Sequence, residues 1–156
     1  MTAVQIARTR RDPTDDLSSS ADVLQLVRAF YRDAAVDDVL GPVFSAAGVD
    51  WSAHIPRLVE FWEWQLLGEP GYVGQPMRAH ERAHSLVPFR DAHYTRWLEL
   101  FDGTVDDLFR GPTAELAKHR ARKIATAMHR ILPLDADPPG RQEVVGGPAG
   151  RGDHTG

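Results

Sequence analysis

Between Val23 and Ile131 large apolar side chains recur at intervals of three and four, and no stretch of useful length alternates with period two. That spacing gives each segment one apolar helical face and leaves no material for a sheet, so the chain reads as all-α. Glycine and proline cut the pattern into pieces. Val23, Leu24, Val27, Phe30, Tyr31 and Ala34 form the first stripe, with Ser20 as the expected N-cap. Gly41-Pro42 interrupts the chain after Leu40. A second stripe, Trp51, Ile55, Leu58, Val59, Trp62 and Leu66, starts near Trp51 or Ser52 and stops at Gly68. Pro56 then has to lie in or close to the first turn, where a missing N–H matters little. Residues 68–75 carry three glycines and Pro70 and read as a loop.

Pro76 opens a short helix that Pro88 closes. Tyr94, Trp97, Leu98, Phe101, Val105 and Leu108 make a longer one that ends at Gly111-Pro112. Thr113 is the expected cap of the last helix. Ala117, Ala121, Ile124, Met128 and Ile131 face inward there, and Pro133 is the stop. The expectation is four main helices and one short one. Lys118, His119, Arg120, Arg122 and Lys123 fall mostly on the opposite face and read as a solvated surface.

A chain of 156 residues is long enough for one domain with its own core. It has no cysteine, which excludes a disulfide framework, a thiolate metal site and a cysteine nucleophile. The start, MTAVQIARTRRDPTDD, has no apolar region of the secretory kind, and no apolar run has the length of a bilayer span. These features predict a soluble, cytoplasmic protein. A net charge of −4 and a pI near 5.9 argue against nucleic acid as a partner. Residues 1–19 are expected to be a disordered polar extension, 20–134 the folded domain and 135–156 a disordered Gly/Pro-rich tail. The Arg151-Gly152-Asp153 adhesion tripeptide in that tail reads as chance.

His80-Glu81-Arg82-Ala83-His84 spells H-E-x-x-H. On a helix the two histidines share a face and reach one zinc ion, and the glutamate acts as general base. Three features count against a zinc hydrolase. The helix is confined between Pro76 and Pro88. Val87 and Arg90 stand where the extended protease pattern has Gly and His. No strand is available to bind a substrate backbone. Glu99 or Glu115 remains available as a downstream third ligand.

The helix faces suggest another chemistry. Tyr31 lies on the first inward stripe, His54 shares a face with Leu58, Phe61 and Gln65, and Trp97 lies on the stripe of the long helix. A helical cavity with an imidazole on one side and Tyr, His and Trp donors on the other suits haem. Periodicity alone fits ordinary core aromatics at least as well.

Several stretches, in order and with matching gaps, carry a resemblance. They are Phe30-Tyr31, Leu40-Gly41-Pro42-Val43-Phe44, Trp51-x-x-His54, and Phe61-Trp62 followed by Leu66-Leu67-Gly68. Tyr72-x-Gly74-Gln75-Pro76-Met77-x-x-His80 and Trp97-Leu98-x-Leu100-Phe101 complete the set. Over about residues 23–132 the chain resembles the group III truncated haemoglobins. The resemblance implies a truncated globin fold, a two-over-two helical sandwich around haem b (iron protoporphyrin IX). It makes His80 the iron ligand, with His84 one turn away as the alternative and His93 structural. On the distal side it nominates Tyr31, His54 and Trp97 as ligand-binding residues. Arg57 is assigned to a haem propionate, and Phe44, Leu58, Phe61, Tyr72, Met77 and Trp97 to haem contacts.

The implied function is binding of dioxygen, nitric oxide and carbon monoxide, extending to cyanide and to chemistry on nitric oxide or peroxide. Donor hydrogen bonds near the iron stabilise ligands that carry partial negative charge. The chain has no flavin or nicotinamide motif, so a separate reductase is implied, and the oligomer is a monomer or dimer. Two rivals stay beside this reading: the zinc hydrolase, and a cofactor-free helical interaction module.

Overall fold

The computed structural model describes residues 13–132 apart from 73 and 75, and the side chains of residues 76–79 are not among those described. Six helices lie within that span. They are α1 (Ser20–Ala35), α2 (Gly41–Ala47), α3 (Trp51–Leu67), α4 (Pro76–Leu86), α5 (Asp91–Leu108) and α6 (Pro112–Ile131). There is no strand among the described residues, in agreement with the period of the apolar pattern. None of the described helices is long and apolar enough to cross a membrane. The tail expected over 135–156 and the first twelve residues of the polar extension lie outside the described residues.

Two helix pairs make the frame. α1 packs along α3, α5 packs along α6, and the pairs are joined by contacts of α1 with α5 and of α3 with α6. This is the two-over-two sandwich. Val23, Leu26, Val27, Phe30, Tyr31 and Ala34 of α1 are all buried, so α1 is the central element. From α6 the buried side chains are Ala114, Ala117, Ala121, Ala125 and Met128. A seam of alanines brings the α6 backbone close to its neighbours. Lys118 pairs with Asp106 and Glu115, and Arg122 pairs with Asp102, so part of the basic face of α6 is neutralised locally.

Caps and breakers depart from the sequence reading at five points. Ser19, not Ser20, caps α1, in a reciprocal capping box with Asp22. Gly41-Pro42 does not simply interrupt the chain. It opens α2, with proline in the first turn where its fixed φ suits a helix start. Pro56 stands in the second turn of α3 rather than the first, so the Ser52 carbonyl has no N–H to accept from; both residues are exposed, and water can serve instead.

Thr113 does not cap α6. The backbone N–H groups of Thr113 and Ala114 donate to the carboxylate of Asp16 at 2.9 Å each. The segment 13–19, expected to be part of a disordered extension, is therefore anchored: Leu17 is 1% exposed and belongs to the main core. The side chain of Leu17 and the carboxylate of Asp16 supply the apolar burial and hydrogen bonding that a polar composition conceals. Gly111 makes this dock possible. Its φ is 144°, and a Cβ there would lie 2.5 Å from the Asp16 carboxyl carbon.

Candidate functional site

The site forms where α1, α2, α3 and α5 converge around Tyr31. Tyr31 is buried in the middle of α1, with its ring 5.7 Å from Trp51 and 6.1 Å from both Phe44 and His54. Burial pushes its phenol well above the ordinary range, and the Trp97 indole, which donates a hydrogen bond to the hydroxyl, offsets part of that effect. Trp97 reaches this point from α5, held edge-on to Phe30 at 5.8 Å and stacked on Phe101 at 5.5 Å. The three expected distal residues are thus clustered: Trp97 bonded to Tyr31, and His54 beside Tyr31.

His54 is half-buried near the start of α3. Burial holds its imidazole below the ordinary pKa, and the positive charges of His80 and Arg57 push in the same direction. Neutral imidazole is the favoured form, so His54 has one N–H to donate and one nitrogen to accept. His80, half-buried on α4, is near enough for its charge to be felt at His54 on α3. Arg57 is exposed one turn along α3 from His54, and its charge also reaches Tyr72.

The walls are apolar and incompletely covered. α3 buries only Trp62 fully, although Ile55, Leu58, Val59, Phe61 and Leu66 follow its apolar stripe. Phe44, Leu58, Phe61 and Trp97 are half-buried against the main core, and Tyr72 is half-buried with its ring 5.3 Å from Phe61. Among the described residues α4 packs principally on α2, and no comparable packing joins it to α3. The half-covered apolar side chains wall an open slot beside the donors Tyr31 from α1, Trp97 from α5 and His54 from α3, and α4 carries His80. A flat apolar group carrying a metal would suit that donor set, with apolar side chains against the ring and an imidazole for the metal. Met77, expected against such a group, has its side chain outside the described residues.

His84 is committed elsewhere. Its Nδ1 accepts from the Phe89 N–H at 2.9 Å, and its ring lies 5.3 Å from Phe89. His93 Nδ1 accepts from the Arg90 N–H at 2.8 Å, closing the start of α5 as a structural residue does. Glu99 and Glu115, the candidate third ligands for zinc, pair with Arg96 and Lys118. No three His, Asp or Glu side chains among the described residues converge on one metal position. The H-E-x-x-H spelling thus has no matching geometry here.

Two contributors escaped the sequence reading. Trp51 was counted as a core residue, yet its ring touches Phe44, Tyr31 and His54 at 5.2–5.8 Å, which makes it part of the distal wall. Its place three residues before His54 was the available signal. Asp37, just after α1, takes Nε and the second guanidinium nitrogen of Arg96 at 2.8 Å on Oδ1, and the Val39 and Leu40 N–H groups on Oδ2. That bridge ties α5, one residue before Trp97, to the turn that starts α2. Nothing local in sequence announces a pair 59 residues apart.

The sequence model of the bacterial-like globin family matches residues 15–132. The group 3 truncated haemoglobin ctb of Campylobacter jejuni is 30% identical over 114 residues, covering 70% of this chain and 87% of that relative. The crystal structure of group III truncated haemoglobin from Campylobacter jejuni superposes with a TM-score of 0.65 at 29% identity, covering 74% of this chain and 91% of that one.

Proposed function

The chain belongs to the bacterial-like globin family as a group III truncated haemoglobin, a haem-binding globin, and on that footing we propose that it holds haem b through His80 and binds diatomic ligands on the side of Tyr31, Trp97 and His54. What supports this reading is the cluster of Tyr31, Trp97 and His54 beside half-buried apolar side chains, with the charge of His80 felt at His54.

Haem, when bound, supplies an iron that accepts dioxygen, nitric oxide and carbon monoxide. The chain's own residues do the rest. His80 presents an imidazole nitrogen to the metal. Phe44, Leu58, Phe61, Tyr72 and Trp97 exclude water from the ring faces. Arg57 stands at the open edge, where its guanidinium can pair with a propionate. Tyr31 accepts from the Trp97 N–H, which leaves the Tyr31 hydroxyl hydrogen free to turn toward a ligand with partial negative charge. His54, neutral at physiological pH, adds a further donor or a proton acceptor.

Several donors around one ligand favour retention over release, so we assign the protein to ligand chemistry, on nitric oxide or peroxide, rather than to oxygen storage. Such turnover needs an external reductase. A zinc hydrolase is not favoured, because His84 is engaged by Phe89 and its carboxylate partners are paired elsewhere.

The test is the absorption spectrum of the purified protein expressed with ample porphyrin. A Soret band that shifts with carbon monoxide and is lost in His80→Ala is the expected result. Stoichiometric zinc without visible absorbance overturns it.

A further inference from the structure

We propose that small apolar ligands reach the distal face through the groove between α1 and α3, with Trp51 separating that groove from the ligand-binding space. This rests on the reading of the site as a diatomic-ligand site.

The groove is an open surface depression of about 650 Å³. Half-buried Leu24 from α1 and half-buried Trp51, Ile55 and Val59 from α3 make its apolar floor, and exposed Arg28 and Glu60 flank it. Dioxygen, nitric oxide and carbon monoxide are small, uncharged and in no need of a hydrogen-bond partner, so an apolar floor admits them. Trp51 is the residue common to both sides. Outward it lines the groove; inward its ring lies against Tyr31, Phe44 and His54. A swing of this one indole joins the surface depression to the space beside the Tyr31 hydroxyl.

The backbone nearby is suited to such a swing. Trp51 is the first residue of α3, and Pro56 removes the N–H that would have bonded the Ser52 carbonyl in the same turn. The first turn of α3 is therefore held by fewer hydrogen bonds than a regular helix start. The competing route passes His54 and Arg57 at the open edge of the slot, and the experiment is arranged to tell the two apart.

Carbon monoxide rebinding after flash photolysis would be followed in the full-length haem-loaded protein and in Trp51→Ala, Val59→Trp and His54→Ala. Val59 lies in the groove floor about two turns along α3 from Trp51, so Val59→Trp obstructs the route at a point away from the Trp51 ring. The expected results are association several-fold faster in Trp51→Ala and several-fold slower in Val59→Trp, with dissociation in Val59→Trp slowed by the same factor, because one passage serves entry and escape. Association in Val59→Trp within about twofold of the parent overturns the route, whatever Trp51→Ala does, and a large rise confined to His54→Ala assigns entry to the slot edge. Leu24→Phe serves as a second, gentler obstruction if Val59→Trp fails to fold. An independent readout is xenon pressure: methyl resonances of Leu24, Ile55 and Val59 should shift, and unmoved methyls overturn the proposal. A protein that retains no haem and binds no carbon monoxide brings down the functional reading itself; carbon monoxide binding with insensitive rates brings down only the route.

Discussion

Trp97, on α5, donates its indole N–H to the hydroxyl of Tyr31, on α1, so the two helices that cross at the centre of the sandwich are joined by a hydrogen bond at the candidate ligand site. The Tyr31 hydrogen is left to serve a ligand. Tyr31→Phe should raise the dioxygen dissociation rate about fivefold, the equivalent of one net hydrogen bond of about 1 kcal/mol. Trp97→Phe should raise it by a similar factor, because it unties the tyrosine. The double variant should fall short of the product of the two, since both act on one chain of donors. Stopped-flow dissociation measures all three, and unchanged rates in both single variants would remove the donor role.

The two histidines of the H-E-x-x-H stretch should separate cleanly on substitution. His80→Ala should abolish stoichiometric haem. His84→Ala should keep the Soret band while lowering stability by about 1–3 kcal/mol, the cost of leaving the Phe89 N–H without an acceptor. Haem retention on a desalting column together with urea unfolding measures both effects. Loss of haem in His84→Ala alone would show the wrong imidazole to have been chosen.

The Asp37–Arg96 bridge predicts a pH dependence of stability. The Arg96 hydrogen bond holds the Asp37 carboxyl below its ordinary 3.8, and the carboxylate is 8% exposed. A depressed folded pKa means that the ionised bridge contributes fully above the ordinary value and is lost as pH falls through the folded one. Asp37→Asn should therefore melt several degrees lower than the parent at neutral pH. The gap should close as pH drops below 3.8. A gap that stays constant into acid would show that the pair is not the origin of the difference.

At the α5–α6 corner, Asp16 and Gly111 should behave as one unit. The backbone N–H groups of Thr113, Ala114 and Leu17 outweigh burial and hold the Asp16 carboxyl below its usual range. Asp16→Ala should lower stability by about 1 kcal/mol, as loss of a helix cap does. Gly111→Ala should do more, about 2 kcal/mol, because it combines a strained φ with a clash on Asp16. In the double variant the clash is relieved and the strain is not, so the losses should be less than additive. Denaturant melts of the four proteins measure the coupling.

The regular parts of this fold were readable because they are local. α1, α3, α5 and α6 each present an apolar stripe at helical spacing, and the breakers Gly68, Pro88 and Gly111-Pro112 lie close to where the helices stop. What was not readable depends on distant partners or on an ambiguous residue. Gly41-Pro42 punctuates a chain and starts a helix equally well; only the burial of Gly41 and Val43 decides for α2. The cap of α6 comes from Asp16, 97 residues before Thr113, and no pattern around Thr113 points to it. The candidate site divides in the same way. Spacing puts Tyr31 and Trp97 on inward stripes, but only the family resemblance nominates them as ligand-binding residues. The choice between His80 and His84 is not legible in spacing; the Phe89 hydrogen bond, which holds His84 to the turn after α4, is a contact that only the fold reveals.

The docking of residues 13–19 onto the last helix also governs when this protein can finish folding. Ribosomes deliver a chain from its amino end, so Leu17 and Asp16 emerge first and wait for α6, made last. Until the Thr113–Ala114 corner has cleared the exit tunnel, Leu17 has no lid and Asp16 no helix end to hold. The α1–α3 hairpin can assemble early from neighbouring sequence, but closure of the whole is postponed to the end of synthesis by contacts spanning 97 and 98 residues.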